Sequence, residues 1–124
     1  MWDQKIGEFS AGVRTQGGPL IADGVVMQGV NGVNGGSPGG SYIVGMDALT
    51  GKQLWRFNTI AQPGEPNGNS WNDLPLGKRT GGSVWTAGSY DADDDLAFFG
   101  PAPTYDTEPL RRPLGRPGIT NDAL

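Results

Sequence analysis

Residues 45–55 carry the sequence GMDALTGKQLW, which predicts two strands joined by a tight turn. The carboxylate of Asp47 can accept backbone N–H groups across such a turn, and Gly51 can adopt the positive φ that a tight bend requires. Trp55 ends the segment with a large ring that can pack against a neighbouring element and with an N–H that can donate a hydrogen bond. These residue types therefore indicate a structural role and not a chemical one.

Apolar runs on both sides of this turn predict a four-stranded antiparallel sheet. The dipeptide Asp23-Gly24 lies between two such runs, which is the pattern of a two-residue hairpin. A loop of small residues, 31–41, separates the second predicted strand from the third. The predicted strands are residues 20–21, 25–30, 42–46 and 53–57. Four antiparallel strands in sequence order form one blade of a β-propeller.

The rest of the chain predicts a connection and an incomplete second blade. Two further strands are expected over 83–90 and 96–99, and the chain after residue 100 is rich in proline. Trp2 and Trp55 are 53 residues apart, a repeat length that fits a propeller blade with long insertions. We expect an all-β fold that forms a partial β-propeller of about one and a half four-stranded blades and is a fragment of a larger propeller. Its expected parts are a blade over 1–57, an inter-blade connection over 58–82, and the first half of the next blade with a Pro-rich loop over 83–124.

Composition supports this fold class and excludes several functions. The chain has 22 glycines and 10 prolines, but it also has four Trp, four Phe and three Tyr, which disordered chains usually lack. The net charge is −4, and no basic cluster is longer than Arg111-Arg112, so no nucleic-acid partner is expected. The chain has no Cys and no His, which argues against an enzyme that works alone.

The segment from Gly45 to Trp55 resembles the tryptophan-docking motif of dehydrogenases that depend on pyrroloquinoline quinone (PQQ). In that motif an Asp, a Thr-Gly and a Trp recur in this order. The resemblance implies an eight-bladed propeller in a periplasmic quinoprotein that oxidises a small alcohol-type substrate. It also implies a cytochrome or a quinone as electron acceptor, and calcium or another divalent or lanthanide ion beside PQQ. The family's catalytic Asp lies in later blades, so no catalytic residue is expected here.

The stretch Gly81-Gly82-Ser83-Val84-Trp85 is similar to the cofactor-contacting segment of the same family. The resemblance implies that Trp85 stacks on the quinone ring system and that Ser83 makes a polar contact. A rigid indole suits a flat tricyclic ligand by area and by offset stacking. Taken alone, the sequence favours a buried aromatic of the core or of a blade interface at Trp85, because such aromatics far outnumber cofactor contacts. The docking motif upstream favours the cofactor contact.

The glycine-rich loop after the second strand supplies the other predicted contacts. By resemblance, Asn31 and Gly32 fall on positions that contact the PQQ carboxylates, and Gln16 falls on a hydroxyl contact position. Asn34 falls on a metal-ligand position where the family usually has Glu; an amide oxygen can still ligate calcium. A second amide ligand of the family is replaced by Pro103, so Thr104 or a backbone carbonyl is the expected substitute. The alternative is a glycine-rich surface loop with no ligand.

Two other functions remain open from the residues. A propeller with the same repeat could serve as a binding or assembly scaffold without a cofactor. A carbohydrate-binding all-β module would place Trp71 and Tyr105 on one surface groove. Asp91, Asp93 and Asp95 occupy the first places of a calcium-loop pattern, but Leu96 stands where that loop needs Gly, so we expect an acidic hairpin turn.

Overall fold

The computed structural model describes residues 1–32, 40–71 and 74–105, with the side chains of residues 104 and 105 excepted. Within these ranges the chain is built from short antiparallel strands. The strands are β1 (Leu20–Ala22), β2 (Val25–Val30), β3 (Tyr42–Asp47), β4 (Gln53–Asn58), β5 (Thr80–Gly81), β6 (Ser89–Asp91), β7 (Leu96–Phe98) and β8 (Thr104–Tyr105). Two short 3-10 helices cover Phe9–Ala11 and Leu76–Lys78. Neither of the helices in these ranges is long and apolar enough to cross a membrane.

Strands β1 to β4 form one antiparallel sheet in sequence order, which confirms the predicted blade-like meander. The hairpin between β1 and β2 turns at Asp23 and Gly24, where φ is 43° and 74°. Positive φ at both central residues matches the right-handed twist of the flanking strands. At the far end of the sheet, Tyr42 pairs with both Val30 and Asn58. The ends of β2 and β4 and the start of β3 therefore lie at one edge of the sheet.

The turn between β3 and β4 is organised by Asp47, as predicted. Its Oδ1 accepts the backbone N–H of Leu49 at 3.0 Å, the backbone N–H of Thr50 at 2.7 Å and the Thr50 hydroxyl at 2.7 Å. These hydrogen bonds, above all the one from the Thr50 hydroxyl, hold the pKa of Asp47 below its usual value. Gly51 completes the turn with a φ of 75° and donates its N–H to the Asp47 carbonyl at 2.8 Å.

The outer side of this turn is covered by Trp2. Its Nε1 donates to the Ala48 carbonyl at 3.0 Å, across 46 residues of sequence. A β-carbon on Gly51 would lie 2.5 Å from Cδ2 and Cε3 of the Trp2 ring, so the indole sits directly on the bare glycine. Trp55, the other member of the 53-residue pair, covers Gly45 and remains 39% exposed.

The described residues contain two apolar clusters, one in the first sheet and one within the long connection. The larger one joins β2 and β3 through Val30, Tyr42, Val44 and Met46, and Trp2, Ile6, Val13 and Val26 pack against it. The smaller one consists of Ile60 and Trp71 with Leu74 beside them. Arg79 is buried over the Trp71 ring and donates to the carbonyls of Ala61 and Gly68 at 2.8 Å and of Leu74 at 3.1 Å. Hydrogen bonds and packing among its own residues therefore hold the connection together.

The second set of strands differs from the prediction in two places. Only Ser89 and Tyr90 of the predicted strand 83–90 are in a strand, because the Ser83 carbonyl is paired with the Ala102 N–H and Val84 packs against β2. The chain after residue 100 was expected to be a Pro-rich loop. It contains β8, which pairs with β5. The hairpin of β6 and β7 is confirmed, with Asp91 opposite Leu96.

Candidate functional site

The predicted contact residues of the first sheet lie at the edge where β2 ends. An isolated bridge pairs Asn31 with Arg14 in the segment that precedes β1. This pairing brings Gln16 beside Asn31, and Asn31 Nδ2 donates to Gln16 Oε1 at 2.9 Å. Asn31 is buried, whereas Gln16 is exposed. The structure thus joins two residues that are 15 positions apart in the sequence.

The bond to Gln16 uses the nitrogen of the Asn31 carboxamide and not its oxygen. Asn31 Oδ1 is buried and has no hydrogen-bond partner among the described residues. The bond to Gln16 holds the amide with its N–H side toward Gln16, so Oδ1 is the atom presented elsewhere. A buried acceptor without a partner costs free energy unless a ligand, water or ion satisfies it. Asn31 therefore offers an acceptor to a bound group.

Backbone and hydroxyl groups connect this edge to the segment before Trp85. The Gly32 N–H donates to Ser41 Oγ at 3.0 Å. The Thr59 hydroxyl lies 2.8 Å from the Ser41 carbonyl and 2.7 Å from the Gly82 carbonyl, so it can donate to either. Thr59 was not singled out from the sequence, since its partners are 18 and 23 residues away. Because the Gly32 N–H already has a partner, it does not serve as a free donor for a ligand carboxylate.

Ser83 and Trp85 point to different environments. Ser83 is buried, at 4% exposure, whereas Trp85 is 56% exposed. Gly81 and Gly82 have φ values of 109° and 62°, which turn the chain out of β5 before these residues. The Trp85 ring is therefore a large flat surface available to a partner, beside a buried hydroxyl residue.

Two close contacts at glycines place this segment against β2 and against the chain before β1. A β-carbon on Gly29 of β2 would lie 2.5 Å from Val84 Cγ1, and one on Gly17 would lie 2.9 Å from the Trp85 carbonyl oxygen. Gly29 precedes Asn31 by two residues, and Gly17 follows Gln16 directly. The structure therefore lays two stretches alongside each other, one with Gln16, Asn31 and Gly32 and the other with Ser83 and Trp85.

The predicted metal ligands cannot be placed in the same way. Asn34 and the side chain of Thr104 lie outside the described residues. The Pro103 carbonyl accepts a long hydrogen bond of 3.4 Å from Gly82 N. In the described parts of the chain, no group of three or more Asp, Glu, His or Cys could hold a metal ion. Calcium at this site stays a prediction.

The acidic residues 91–95 form a hairpin turn, as expected. Asp91 Oδ1 accepts the N–H groups of Asp93 at 3.0 Å and Asp94 at 3.3 Å. The Tyr90 hydroxyl donates to Asp95 Oδ1 at 2.6 Å, and this hydrogen bond raises the pKa of Tyr90 to about 12. The carboxylates of Asp91 and Asp95 therefore stabilise the hairpin turn.

An apolar cavity of about 440 Å³ lies elsewhere, between the first sheet and the second set of strands. Its walls come from β3 and β4 on one side and from β7 and the residues after it on the other, including Ile43, Trp55, Phe57, Phe98 and Phe99. It contains few polar groups and does not include the predicted contact residues. We therefore regard it as part of the packing between two blades.

Comparison with known proteins gives one family and several relatives. The sequence profile of the family described as "PQQ: glucose/ethanol/alcohol dehydrogenase, β-propeller domain" matches residues 3–113. The dehydrogenase subunit of an alcohol dehydrogenase (quinone) of Gluconacetobacter polyoxogenes is 38% identical over 100 residues, which is 68% of this chain and 13% of that protein. A quinohemoprotein alcohol dehydrogenase (ADH IIB) of Pseudomonas putida is 29% identical over 130 residues, 95% of this chain and 18% of that protein.

A relative named for a different activity also matches. Lupanine 17-hydroxylase [cytochrome c] of a Pseudomonas species is 37% identical over 97 residues, which is 68% of this chain and 13% of that protein. The chain thus spans less than a fifth of the length of these curated relatives. The matches cover the predicted blade and the start of the next one, and they agree with the all-β propeller fold.

Proposed function

Because this chain belongs to the PQQ glucose/ethanol/alcohol dehydrogenase β-propeller family, we propose that it forms part of the wall of a PQQ pocket in a dehydrogenase that oxidises alcohols. The observation that carries the proposal is the exposed Trp85 ring, which follows buried Ser83 in a segment whose Val84 packs against Gly29 of β2. PQQ when bound supplies the redox chemistry, while the protein supplies binding and orientation. The contribution of this chain is to orient the cofactor.

The residues at this edge fit such a group. The Trp85 indole offers an extended flat face, which suits offset stacking on a planar ring system. Asn31 Oδ1 is a buried acceptor without a partner in the described chain, and a cation or an N–H group of a ligand would satisfy it. Ser83 is a buried polar residue next to the stacking face. A flat aromatic ring with a few fixed polar groups is the usual composition of a cofactor site.

The remaining parts of the function extend beyond this chain. We propose that the catalytic base lies in other blades. The rest of the proposal follows the family: a small alcohol as substrate, a cytochrome or a quinone as electron acceptor, a calcium or similar ion beside PQQ, and a periplasmic location. The carbohydrate-binding alternative placed Trp71 on a surface groove and is wrong on that point, because Trp71 is fully buried against Ile60.

The test is a PQQ titration of the full-length polypeptide, followed by tryptophan fluorescence and by PQQ absorbance. Trp85→Ala should weaken binding by about 10- to 100-fold, since stacking of a flat heterocycle on an aromatic side chain contributes roughly 1–3 kcal/mol. Trp85→Phe should retain most of the affinity, because a flat ring remains. Equal PQQ affinity of Trp85→Ala and the unmodified protein would refute the proposal. Absence of PQQ binding by the unmodified protein would favour the scaffold propeller.

A further inference from the structure

The segment that carries Trp85 rests on two glycines, one in β2 and one in the segment before β1. At Gly29, a β-carbon would meet Val84 Cγ1 at 2.5 Å and the Val84 carbonyl oxygen at 2.6 Å. At Gly17, it would meet the Trp85 carbonyl oxygen at 2.9 Å and the Thr86 carbonyl carbon at 3.0 Å. Three of these four atoms belong to the backbone, which cannot rotate away as a flexible side chain can. Any side chain at either glycine would therefore displace the Trp85 segment.

One side chain fixes the spacing of these two glycines. Gln28 Nε2 donates to the Gly17 carbonyl at 3.2 Å and to the Gly29 carbonyl at 2.9 Å. Gly17 lies in the segment before β1, whereas Gly29 lies in β2, so the amide joins two separate stretches of chain. A glutamine amide has two N–H donors, one for each carbonyl. A side chain without N–H donors at this position could make neither bond.

We propose that Gln28 is a positioning residue that holds Gly17 and Gly29 in register and thereby sets the position of the Trp85 ring. Gln28 makes no contact with the cofactor in this scheme; it acts through the two glycines and the backbone of residues 84–86. The inference rests on the proposed function, in which Trp85 stacks on PQQ. It adds that the affinity for PQQ depends on residues that do not touch PQQ but support the segment that does.

The experiment compares variants of the full-length polypeptide in PQQ titrations and in thermal unfolding. Gln28→Met keeps the length of the side chain and removes both donors. Gln28→Glu keeps the shape and places an oxygen against two carbonyl oxygens. Gly17→Ala adds a β-carbon against the Trp85 and Thr86 backbone. Gly18→Ala is the matched control, since a β-carbon there meets nothing within 4 Å.

We expect Gln28→Met and Gly17→Ala to weaken PQQ binding by about tenfold, and Gln28→Glu by more, because misplacement of a positioned group by about 1 Å can cost up to about 100-fold. Fluorescence quenching at saturating PQQ should also fall in these variants, since it depends on the distance between the Trp85 ring and PQQ. A merely structural role would lower the unfolding temperature but leave the quenching at saturation unchanged. Gly18→Ala should match the unmodified protein in both measurements.

The outcomes separate the inference from the proposed function. If Trp85→Ala weakens PQQ binding while Gln28→Met and Gly17→Ala bind as Gly18→Ala does, the inference is overturned and the proposed function stands. If Trp85→Ala binds PQQ normally, the proposed function fails, and the inference fails with it. Should Gln28→Glu not fold, Gln28→Met and Gly17→Ala still decide the question, because neither introduces a charge.

Discussion

The turn at residues 47–51 and the turn at residues 91–95 share one backbone pattern but differ in what covers them. In each, the Oδ1 atom of the first Asp accepts the N–H groups two and three residues later. In each, the fifth residue has a positive φ, 75° at Gly51 and 54° at Asp95. Yet Trp2 packs on the first turn, whereas the second presents carboxylates to the solvent.

The difference comes from the fourth and fifth residues of each turn. Thr50 returns a hydroxyl hydrogen bond to Asp47, while Asp94 donates only its backbone N–H to Asp91. Gly51 leaves a bare face on which an indole can lie, whereas Asp95 fills that place with a side chain that accepts from Tyr90. An Asp-initiated turn is therefore generic, and the Thr-Gly pair makes it a docking surface for a tryptophan.

The largest effect is expected at Gly51. Gly51→Ala should destabilise the protein by about 2–4 kcal/mol, because it combines an unfavourable positive φ with a β-carbon 2.5 Å from the Trp2 ring. Gly24→Ala is the control, since Gly24 has a φ of 74° and a β-carbon there meets nothing within 4 Å. It should cost only about 1–2 kcal/mol for the backbone. If both variants lost the same free energy of unfolding in denaturant, the packing of Trp2 on Gly51 would contribute nothing to stability.

A somewhat smaller effect is expected at Trp2 itself. Trp2→Ala should cost about 2–3 kcal/mol, below the range for a fully buried Trp, because the ring is only half-buried. Trp2→Phe should recover part of this loss but not the roughly 1 kcal/mol of the hydrogen bond to Ala48. In a Gly51→Ala background the cost of Trp2→Ala should shrink, and simple additivity of the two losses would contradict a direct contact.

Removal of the carboxylate of the first Asp in each turn should have a smaller effect on stability, and the effect should differ between the two turns. Asp47→Ala should lower the unfolding temperature by a few degrees, and Asp91→Ala by less, because Asp47 also accepts from the Thr50 hydroxyl. The pKa of Asp47 is lowered in the folded chain. Its stabilisation is therefore complete above the unfolded pKa of about 4 and is lost as the pH falls through the lower folded value. The difference between the unmodified protein and Asp47→Ala should narrow below pH about 4; a constant difference would contradict this.

The smallest effect is expected in the second turn, at Tyr90. Its pKa of about 12 reflects the hydrogen bond to Asp95, so the phenol should ionise later than the ordinary value of about 10. The stabilisation from this bond is present below pH about 10 and is lost as the pH rises toward about 12. Asp95→Gly would make this turn resemble the first one and should return the pKa toward its ordinary value. Tyrosinate absorbance, with Tyr90→Phe to identify the signal, measures the shift.

The first sheet could be predicted almost residue by residue because its signals are local. The strands between residues 20 and 58 are apolar or alternating runs, and the hairpin turns between them have their own chemistry, such as Asp23-Gly24 or Thr50-Gly51. The segment 83–88 was predicted as a strand because Val84, Trp85 and Thr86 favour extended structure. Its hydrogen-bonding and packing partners, Ala102 and Gly29, are distant in the sequence, and no local sequence pattern predicts these contacts.

The candidate site also contains residues that a local motif predicts and residues whose role depends on long-range contacts. Ser83 and Trp85 could be singled out because they share one short motif, and Asn31 because it follows a strand in a glycine-rich loop. The contribution of Gln28 could not be predicted, since a glutamine in a strand has no distinctive pattern. Its role depends on two carbonyl groups that meet only when the chain before β1 lies alongside β2.

The contact between Trp2 and Gly51 also has a consequence for synthesis on the ribosome. The indole is made 49 residues before the glycine on which it lies. At about 5–20 residues per second, the glycine follows the indole by roughly 2–10 s. During that interval the indole can reach the apolar cluster of β2 and β3, but its contact with Gly51 cannot form.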